Sequence, residues 1–382
     1  MPTPTVRIIM NGVTGRMGLR QHLVRSVLAI RDAGGIVRPD GSRLAVEPIL
    51  VGRRPDRLAE LAAAHGVEAY TTDLDTALSD PTATVYFDAQ VTSERKAAIR
   101  RAVAAGKHVY TEKPLAGSAA DGRELARAAE AGGIVHGVVH DKLYLPGLRK
   151  LRRLLDAGFF GRLLSVRGEF GYWVFDGDLA AAQRPSWNYR AEDGGGIVLD
   201  MYAHWSYLLE NLFGRVQAVT TTAVTHLRQR RDEQGQPYAA TADDAAYGIF
   251  ELAGGVIAQI NSSWAVRVHR GELLELQVDG VAGSAVAGLF DCRVQPAVTT
   301  PRPVWDPDLP TEHDFRAQWQ PVPELAEPGN GFRAQWEQFL SDVDQNRPHR
   351  YGFPAGVRGL ELVEAALRSS AEGRRIGLGE VG

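Results

Sequence analysis

The sequence predicts an α/β Rossmann domain, with a doubly wound parallel sheet, followed by an α+β domain with a large open, mostly antiparallel sheet. Three observations predict it. Strand and helix patterns alternate over roughly the first 140 residues, a glycine-rich turn separates the first strand from the first helix, and long alternating segments begin after about residue 145. The 382 residues suffice for two domains, placed at 1–142 and 143–382, with the final helices packing back on the first domain.

In the first domain, short apolar runs predict strands and helical spacing of apolar residues predicts helices. The strands are predicted at 6–10, 49–51, 84–87, 109–110 and 134–139, and the helices at 17–32, 55–65, 93–105 and 118–131. Repeated β–α–β units predict a parallel sheet. The glycine- and proline-containing segment 33–47 departs from this pattern, and we expect an inserted turn or small hairpin there.

In the second domain, a helix at 148–157 precedes segments whose apolar residues alternate. Such alternation predicts strands with one face on a core, at 163–173, 216–226, 245–252, 256–266 and 273–278. Helices at 332–346 and 356–368 close the chain. An open sheet needs a cover, and self-association is the simplest one, so we expect a homodimer or homotetramer through this sheet.

Composition excludes several classes of protein. A net charge of −3 gives no electrostatic reason to expect nucleic acid or an anionic membrane as partner. Cys292 is the single cysteine, so there is no internal disulfide and no thiolate cluster, and the histidines lack convergent ligand spacing, so we expect no metal. No secretory signal or long apolar stretch is present, which favours a cytoplasmic protein.

A glycine-rich turn follows the first strand. Gly12, Gly15 and Gly18 lie between that strand and a helix, where backbone N–H groups and the positive end of the helix dipole bind a pyrophosphate. The spacing is one residue longer than G-x-G-x-x-G, and the alternative is a plain strand-to-helix turn. We assign the cofactor phosphates to Gly12, Thr14, Gly15, Arg16, Met17 and Gly18.

The end of the second strand carries arginines where NAD enzymes place a carboxylate on the ribose diol. Gly52 is followed by Arg53 and Arg54, and guanidinium groups suit a 2′-phosphate. The cofactor is therefore expected to be NAD(P), with NADP(H) favoured over NAD(H). The alternatives are that the arginines are solvated surface charges, or that one of them stacks on adenine.

Two motifs resemble one family. Residues 105–116, AGKHVYTEKPLA, resemble the A-G-K-H-V-x-x-E-K-P segment of the glucose–fructose oxidoreductase/inositol dehydrogenase (Gfo/Idh/MocA) family. Residues 194–204 resemble its G-G-G-x-x-x-D-x-x-x-H segment. The resemblance covers essentially the whole chain, and the paired motifs are specific to the family but not to any substrate.

The resemblance implies roles for three residues. Lys113 matches the lysine beside the nicotinamide and would stabilise a developing alkoxide. His204 would take the hydroxyl proton, or donate it to a ketone, a role that suits histidine because the unperturbed pKa of this residue type lies near neutrality. Asp200 would orient His204 or bind a neighbouring hydroxyl. The alternative is a structural pair, because Asp200 and His204 lie on one face of a helix.

One segment departs from the family. Many relatives carry P-N-x-x-H where this chain has residues 88–95. We expect Ala89 and Gln90 to line the nicotinamide ribose through their backbone. Glu112 is expected either to serve the fold or to contact the cofactor ribose.

Substrate contacts are expected at the domain junction and in two aromatic segments, 171–176 and 184–190. Aromatic rings beside hydrogen-bonding groups fit a carbohydrate, but such rings also fill cores. For Arg190, the alternatives are an anion contact and a structural salt bridge. The candidate substrate residues are Lys142, Tyr144, Tyr172, Trp187, Tyr189 and Arg190.

These expectations describe an NAD(P)-dependent oxidoreductase acting on a secondary hydroxyl or ketone of a sugar, cyclitol or glycoside. One alternative keeps the fold but uses retained NAD for redox-neutral hydrolysis or epimerisation. A further alternative is a non-catalytic, cofactor-sensing protein.

Overall fold

A computed structural model describes residues 4–267, 270–300, 306, 308, 309, 314, 317–324 and 329–381. The chain divides into two compact units. The first comprises Met1–Tyr144 and Gly329–Glu361, and the second comprises Leu145–Pro328 and Leu362–Gly382. The domain division expected at residue 142 falls within two residues of the end of the first unit's main segment.

The strands are β1 (Thr5–Asn11), β2 (Ile36–Val37), β3 (Arg43–Val51), β4 (Ala69–Thr71), β5 (Ala83–Asp88), β6 (His108–Thr111), β7 (His136–Val138), β8 (Leu163–Phe170), β9 (Val216–Val224), β10 (Gln229–Arg231), β11 (Pro237–Ala239), β12 (Ala245–Leu252), β13 (Ile257–Ser263), β14 (Leu274–Gly280), β15 (Gly283–Ala287), β16 (Cys292–Pro296), β17 (Gln320–Pro321) and β18 (Ile376–Gly377). The helices are α1 (π-helical over Met17–Leu28, then α-helical over Ala29–Asp32), α2 (Pro55–His65), α3 (Leu74–Ser79), α4 (Thr92–Ala104), α5 (Ala119–Ala131), α6 (Pro146–Asp156), α7 (Ile197–Leu212), α8 (Gly331–Asp344) and α9 (Phe353–Glu372). Short 3₁₀ turns occupy Asp141–Tyr144, Trp173–Phe175, Ser186–Tyr189, Ala191–Asp193 and Leu378–Glu380.

The first unit contains the predicted doubly wound sheet. Its parallel strands lie in the order β4-β3-β1-β5-β6-β7. The chain adds β3 and β4 on one side of β1 and then β5, β6 and β7 on the other, so the strand order reverses between β1 and β5. Ligands of such sheets bind at this reversal, beyond the carboxyl ends of the strands. The irregular segment after α1 forms the predicted small hairpin, because β2 pairs antiparallel with the first half of β3. Sequence patterns missed β4 and α3, which are too short for a periodic signal.

Two apolar clusters lie on the two faces of this sheet, and β1 contributes residues to both. Ile8 and Met10 belong to one cluster, which includes Trp336 and Phe339 of α8. Ile9, between them, belongs to the cluster on the other face. Alternate residues of a strand point to opposite faces, so a continuous apolar strand can support both layers. Helix α8, more than 180 positions after the main segment of this unit, is thus part of the first unit's core.

The second unit contains the predicted open sheet. Nine strands run in the order β17-β16-β15-β14-β8-β13-β12-β9-β18, and the described pairings are antiparallel except that of β8 with β13. The predicted strand 163–173 ends early, at Phe170, because Gly171 takes a φ of 148° against the backbone of Ser263. Strands β15 to β17 were missed from the sequence.

Helix α7 packs on one face of this sheet. Its Trp205 donates a hydrogen bond of 3.0 Å to Ser262 of β13, and its Tyr202 is 3.2 Å from the Thr221 hydroxyl of β9. On the other face, Tyr247, Ile249 and Ile257 are exposed. In the described part of the chain, no helix is long and apolar enough to cross a membrane.

Candidate functional site

The glycine turn packs tightly against the loop that follows β5. Gly12 has a φ of 86°, and a Cβ there would lie 2.7 Å from the backbone of Ala89. A Cβ on Gly18 would lie 2.5 Å from the carbonyl oxygen of Gly12. Ala89 in turn donates its N–H to the Asn11 carbonyl at 2.9 Å. The fold therefore requires Gly12 and Gly18, and it places Ala89 beside the turn at the reversal of the sheet.

Gly15 differs from the other two glycines. It is exposed, its φ is not positive, and the nearest described atom to an added Cβ is the Gly12 carbonyl oxygen, at 3.4 Å. The protein's own packing therefore does not require glycine at this position. Bare backbone at the start of α1 is what a dinucleotide pyrophosphate needs for close approach. The turn fits the phosphates of NAD(P).

The end of β3 lies beside this turn. A Cβ on Gly52 would lie 3.5 Å from the Thr14 side chain. Arg53 and Arg54 follow it and are exposed. Among the described residues, neither guanidinium has a hydrogen bond or an ion pair, so both are available to an anion.

A buried arginine, Arg95, holds the loop after β5 through hydrogen bonds. Arg95 is 3% exposed and donates from Nε to Asp88 at 3.1 Å and from Nη2 to the Gln90 carbonyl at 2.8 Å. Its Nη1 donates to the carbonyl oxygen of Pro114. Asp88 also accepts from the Tyr86 hydroxyl at 2.6 Å. This arginine thus ties the segment that departs from P-N-x-x-H to the loop that carries the lysine motif.

Glu112 is buried beneath that loop. Its Oε1 is 2.8 Å from Nε2 of His22, and its Oε2 accepts the Lys113 backbone N–H at 3.0 Å. The described contacts thus place both carboxylate oxygens on protein N–H groups, which supports the alternative that Glu112 serves the fold.

In the second unit, α7 starts at the triple glycine. A Cβ on Gly195 would collide with the backbone of Asn188, and one on Gly196 would lie 2.6 Å from the Asp243 carboxylate. Asp243 accepts the N–H of Ile197 on its carbonyl oxygen at 2.9 Å and that of Val198 on its carboxylate at 2.8 Å. The glycines therefore let a cap from outside the helix satisfy its first N–H groups.

Asp200 and His204 each have a partner on the helix or beside it. Asp200 accepts from Nη2 of Arg184 at 2.5 Å, and Arg184 lies 4.5 Å above the ring of Trp264. Nδ1 of His204 is 2.7 Å from the Tyr207 hydroxyl. His204 is buried, at 5% exposure. The Arg184 contact favours the ionised form of Asp200, and the Tyr207 contact orients the imidazole.

The comparisons with known proteins decide the family. A model described as an oxidoreductase family with an NAD-binding Rossmann fold matches residues 9–140, and a model of the GFO/IDH/MocA C-terminal domain matches residues 148–286. The chain belongs to the GFO/IDH/MocA family. This confirms the resemblance read from the sequence motifs and the oxidoreductase class that it implied.

Individual relatives of this GFO/IDH/MocA chain are sugar dehydrogenases. It is 57% identical to a D-xylose dehydrogenase of Paenarthrobacter nicotinovorans over 383 residues, 99% of each chain. It is 25% identical to a levoglucosan dehydrogenase of Pseudarthrobacter phenanthrenivorans over 64% of this chain and 65% of that one. A levoglucosan dehydrogenase structure in complex with NADH and L-sorbose has a TM-score of 0.79 at 20% identity, covering 98% of each chain, which shows a shared fold.

Two aromatic candidates for substrate contacts in the second unit have different surroundings. Tyr189 is fully buried, donates its hydroxyl to the Phe175 carbonyl at 2.7 Å, and carries Arg230 4.2 Å above its ring. It is a core residue, and its assignment to the substrate is corrected here: aromatic enrichment does not separate core rings from site rings. Trp187 is 50% exposed and stays a candidate.

The polar groups of the other four substrate candidates already contact other residues of the protein. Arg190 lies 4.6 Å above the Tyr238 ring and 3.8 Å from Asp193, which favours its structural role. The Tyr172 hydroxyl donates to the Gly271 carbonyl at 3.1 Å. In the first unit, the Tyr144 hydroxyl donates to Gln338, and the Lys142 ammonium is 3.7 Å from Asp141.

Sequence analysis did not find several residues that contact the candidate site residues or hold their loops in place. Tyr207 had a usable signal, because it lies three positions after His204 and so on the same helical face. Arg184 lies in an aromatic segment that was noted for its rings rather than for this arginine. His22 and Arg95 had none. In the part of the chain that the structure describes, no group of three or more His, Cys, Asp or Glu residues is arranged to hold a metal ion.

Proposed function

We propose that the protein is an NAD(P)-dependent D-xylose dehydrogenase. The observation that carries the proposal is the 57% identity to a D-xylose dehydrogenase over 99% of both chains. The local geometry supports it. The glycine turn leaves backbone exposed at the start of α1, Glu112 and Arg95 hold the backbone around Lys113, and helix α7 contains Asp200 and His204. D-Xylose offers a row of hydroxyl groups that suits aromatic rings flanked by polar groups.

The proposed roles follow from chemistry and contacts. Bound at the turn formed by residues 12–18, NAD(P) would supply the hydride acceptor for the carbon that is oxidised. His204 takes the proton of the reacting hydroxyl, and Tyr207 holds its ring. Lys113 stabilises the developing alkoxide by charge and hydrogen bonding. Asp200, kept ionised by Arg184, accepts a hydrogen bond from a neighbouring sugar hydroxyl.

For the sugar, we propose contacts from Trp187 and Tyr172 in the second unit and from Lys142 and Tyr144 in the first. Trp187 supports this role best because half of its surface is exposed. A stacked ring contributes mostly to binding, so Trp187→Ala should raise KM for D-xylose about tenfold with little change in kcat. A lower kcat at unchanged KM would contradict a binding role.

The test is a rate measurement on the purified protein. Initial rates of NAD(P)H formation should be measured with D-xylose, other aldopentoses and hexoses, and levoglucosan, and the product should be identified to locate the oxidised carbon. D-Xylose should give the highest kcat/KM. No reduction of either cofactor with any sugar would overturn the proposal. A tightly retained nucleotide with no net reduction would favour the redox-neutral alternative.

For the cofactor, we propose NADP(H) in preference to NAD(H). The support is the pair of exposed guanidiniums of Arg53 and Arg54 after β3, which lack a partner among the described residues. The pyrophosphate would lie on the turn formed by residues 12–18. Replacing both arginines with alanine should weaken NADPH binding about tenfold and leave NADH binding unchanged. Tighter binding of NADH by the wild type would contradict the preference.

For assembly, we propose a homodimer or homotetramer through the open face of the second unit's sheet. The support is the set of exposed apolar side chains on β12 and β13, namely Tyr247, Ile249 and Ile257. Burying such a patch is a common basis of homodimers. Light scattering should show an oligomer for the wild type and a smaller species for Ile249→Glu. A wild-type monomer would refute the proposal.

A further inference from the structure

A chain of hydrogen bonds inside the first unit connects helix α8 to the lysine motif. Nε1 of Trp336 in α8 donates to Nδ1 of His22 in α1 at 3.0 Å. Nε2 of His22 is 2.8 Å from Glu112, and Glu112 accepts the N–H of Lys113 at 3.0 Å. Trp336 and His22 are fully buried and Glu112 is 7% exposed. Trp336 and His22 are 314 positions apart in the sequence.

The direction of each hydrogen bond is determined by chemistry. The indole N–H of Trp336 can only donate, so Nδ1 of His22 must be an acceptor without a hydrogen. The hydrogen of the neutral imidazole is then on Nε2, which donates to the Glu112 carboxylate. A doubly protonated His22 would direct an N–H at the indole N–H. His22 is therefore the neutral Nε2–H tautomer, and it cannot exchange donor and acceptor roles.

Aromatic packing holds these groups in position. The His22 ring is 4.4 Å from the Phe87 ring and 5.2 Å from Phe332. The Trp336 ring is 5.0 Å from Phe87 and 4.8 Å from Tyr110. Buried rings in contact on several sides have little freedom to leave their rotamers, so the orientation of Trp336 determines that of His22.

Lys113 itself lies outside regular structure. Strand β6 ends at Thr111, so no strand or helix hydrogen bond holds the Lys113 N–H, and the Glu112 carboxylate accepts it instead. The residue after the lysine is held as well, because the carbonyl oxygen of Pro114 accepts from Arg95. The position of the lysine backbone thus depends on Glu112, which accepts the Lys113 N–H, and on Arg95, which binds the Pro114 carbonyl.

We propose that His22 and Trp336 are positioning residues for Lys113. Trp336 fixes the tautomer of His22, His22 fixes the Glu112 carboxylate, and that carboxylate holds the Lys113 backbone. The inference rests on the proposed catalytic role of Lys113. The simpler reading is that this chain of hydrogen bonds stabilises the first unit and has no effect on turnover.

Trp336→Phe separates these readings, because it removes the indole N–H and keeps an aromatic ring. The matched control is Tyr110→Phe, which removes a buried hydroxyl that donates to Gln335 at 3.0 Å from a ring packed on Trp336. Both variants lose one buried hydrogen bond in the same aromatic cluster. Tm measurements should show that both fold, with the larger loss of stability in Trp336→Phe because the smaller ring leaves a cavity.

The expected result concerns kcat for D-xylose oxidation. Trp336→Phe and Glu112→Gln should each lower kcat about three- to tenfold, the effect of one hydrogen bond, with the Kd of NADPH unchanged. Tyr110→Phe should keep the wild-type kcat. Equal values of kcat for Trp336→Phe and Tyr110→Phe would overturn the inference, as would a Glu112→Gln variant with the wild-type kcat.

A spectroscopic readout does not depend on activity. Side-chain ¹⁵N shifts of His22, assigned by comparison with His22→Gln, should show the neutral Nε2–H tautomer in the wild type and an altered Nδ1 signal in Trp336→Phe. A doubly protonated or Nδ1–H imidazole in the wild type would overturn the inference. Failure of the proposed function is distinguished by Lys113→Met: wild-type turnover in that variant would refute the role of Lys113, whatever the tautomer of His22.

Discussion

Two candidate functional segments, the lysine motif of the first unit and helix α7 of the second, hold their functional groups by different means. Around Lys113, buried side chains hold the backbone: Glu112 accepts the N–H of Lys113, and Arg95 donates to the carbonyl oxygen of Pro114. On α7, partners contact the functional side chains themselves, as Tyr207 contacts His204.

This difference predicts different consequences of mutation. Glu112 and Arg95 are almost fully buried, so changes there should affect stability and turnover together. Arg184 and Asp200 have side chains that are 20% and 23% exposed, so changes there should affect turnover with little loss of stability. The predictions below test this contrast, from the largest expected effect to the smallest.

The largest effect is expected at the base. His204→Asn should lower kcat about 10²- to 10⁴-fold, because it removes proton transfer while leaving an amide of similar shape. Steady-state rates at saturating sugar and cofactor measure this. His226→Asn is the control, because that imidazole contacts Tyr247, on the surface proposed for assembly, at 3.1 Å and is not among the candidate catalytic, cofactor or substrate residues. Similar rates in both variants would remove His204 from the mechanism.

The glycine turn should show a sharp contrast between two alanine substitutions. Gly15→Ala should fold normally and weaken NADPH binding about tenfold or more, because its Cβ meets the ligand and not the protein. Gly18→Ala should lower Tm, because its Cβ would lie 2.5 Å from the Gly12 carbonyl oxygen. Calorimetric titration and thermal unfolding measure the two effects. An unchanged Kd in Gly15→Ala would contradict phosphate binding at the turn.

The partners on α7 should have moderate effects on catalysis. Tyr207→Phe should lower kcat about three- to tenfold and shift the pH profile of kcat, because His204 loses the hydroxyl at its Nδ1. Arg184→Met should raise KM for the sugar more than it lowers kcat, because Asp200 is proposed to bind a hydroxyl. Urea unfolding should show little loss of stability in Arg184→Met, because that side chain is 20% exposed, and a larger loss in Tyr207→Phe, because Tyr207 is buried. A large loss in both would mean that the contrast with the lysine motif is wrong.

The last prediction concerns the acid stability of the first unit and not catalysis. Burial, together with the charge of His349, lowers the pKa of His136 to about 4 and that of His140 to about 3. A histidine whose folded-state pKa is lowered contributes stability that is complete above pH ~6.5 and is lost as the pH falls towards the folded-state pKa.

His136→Asn tests this, since an amide oxygen can still accept the Phe353 N–H that now bonds to Nδ1 at 2.9 Å. Between pH ~6.5 and ~4, the wild type should lose up to about 1.4 kcal/mol per pH unit more than this variant. Urea unfolding across that range measures the difference. Parallel stability curves would show that His136 does not titrate on unfolding.

Much of the fold followed from local patterns. The glycine turn, the strands around it and the alternating strands of the open sheet were predicted because each is coded by neighbouring residues. Strands such as β4 and β17 were missed because two or three residues carry no period. Their pairing is decided by the rest of the sheet and not by their own sequence.

The site shows the same limit. Lys113, Asp200 and His204 were found because each lies in a contiguous motif. His22 and Trp336 were not, because only the folded chain brings helices α1 and α8 together. Tyr189 was misassigned because the aromatic composition of its segment is the same whether the ring faces solvent or, as here, packs against Arg230 and Trp264.

The most direct test of the account compares the wild type with Lys113→Met, using D-xylose with NADP⁺ and with NAD⁺, after titration of each protein with the reduced cofactor. Lys96→Met, which removes a surface ion pair with Asp121, is the matched control. The account predicts D-xylose-dependent reduction by the wild type and the control, and turnover about 10²- to 10³-fold slower in Lys113→Met, with cofactor still bound. Wild-type turnover in Lys113→Met, or no turnover of D-xylose by the wild type, would contradict it.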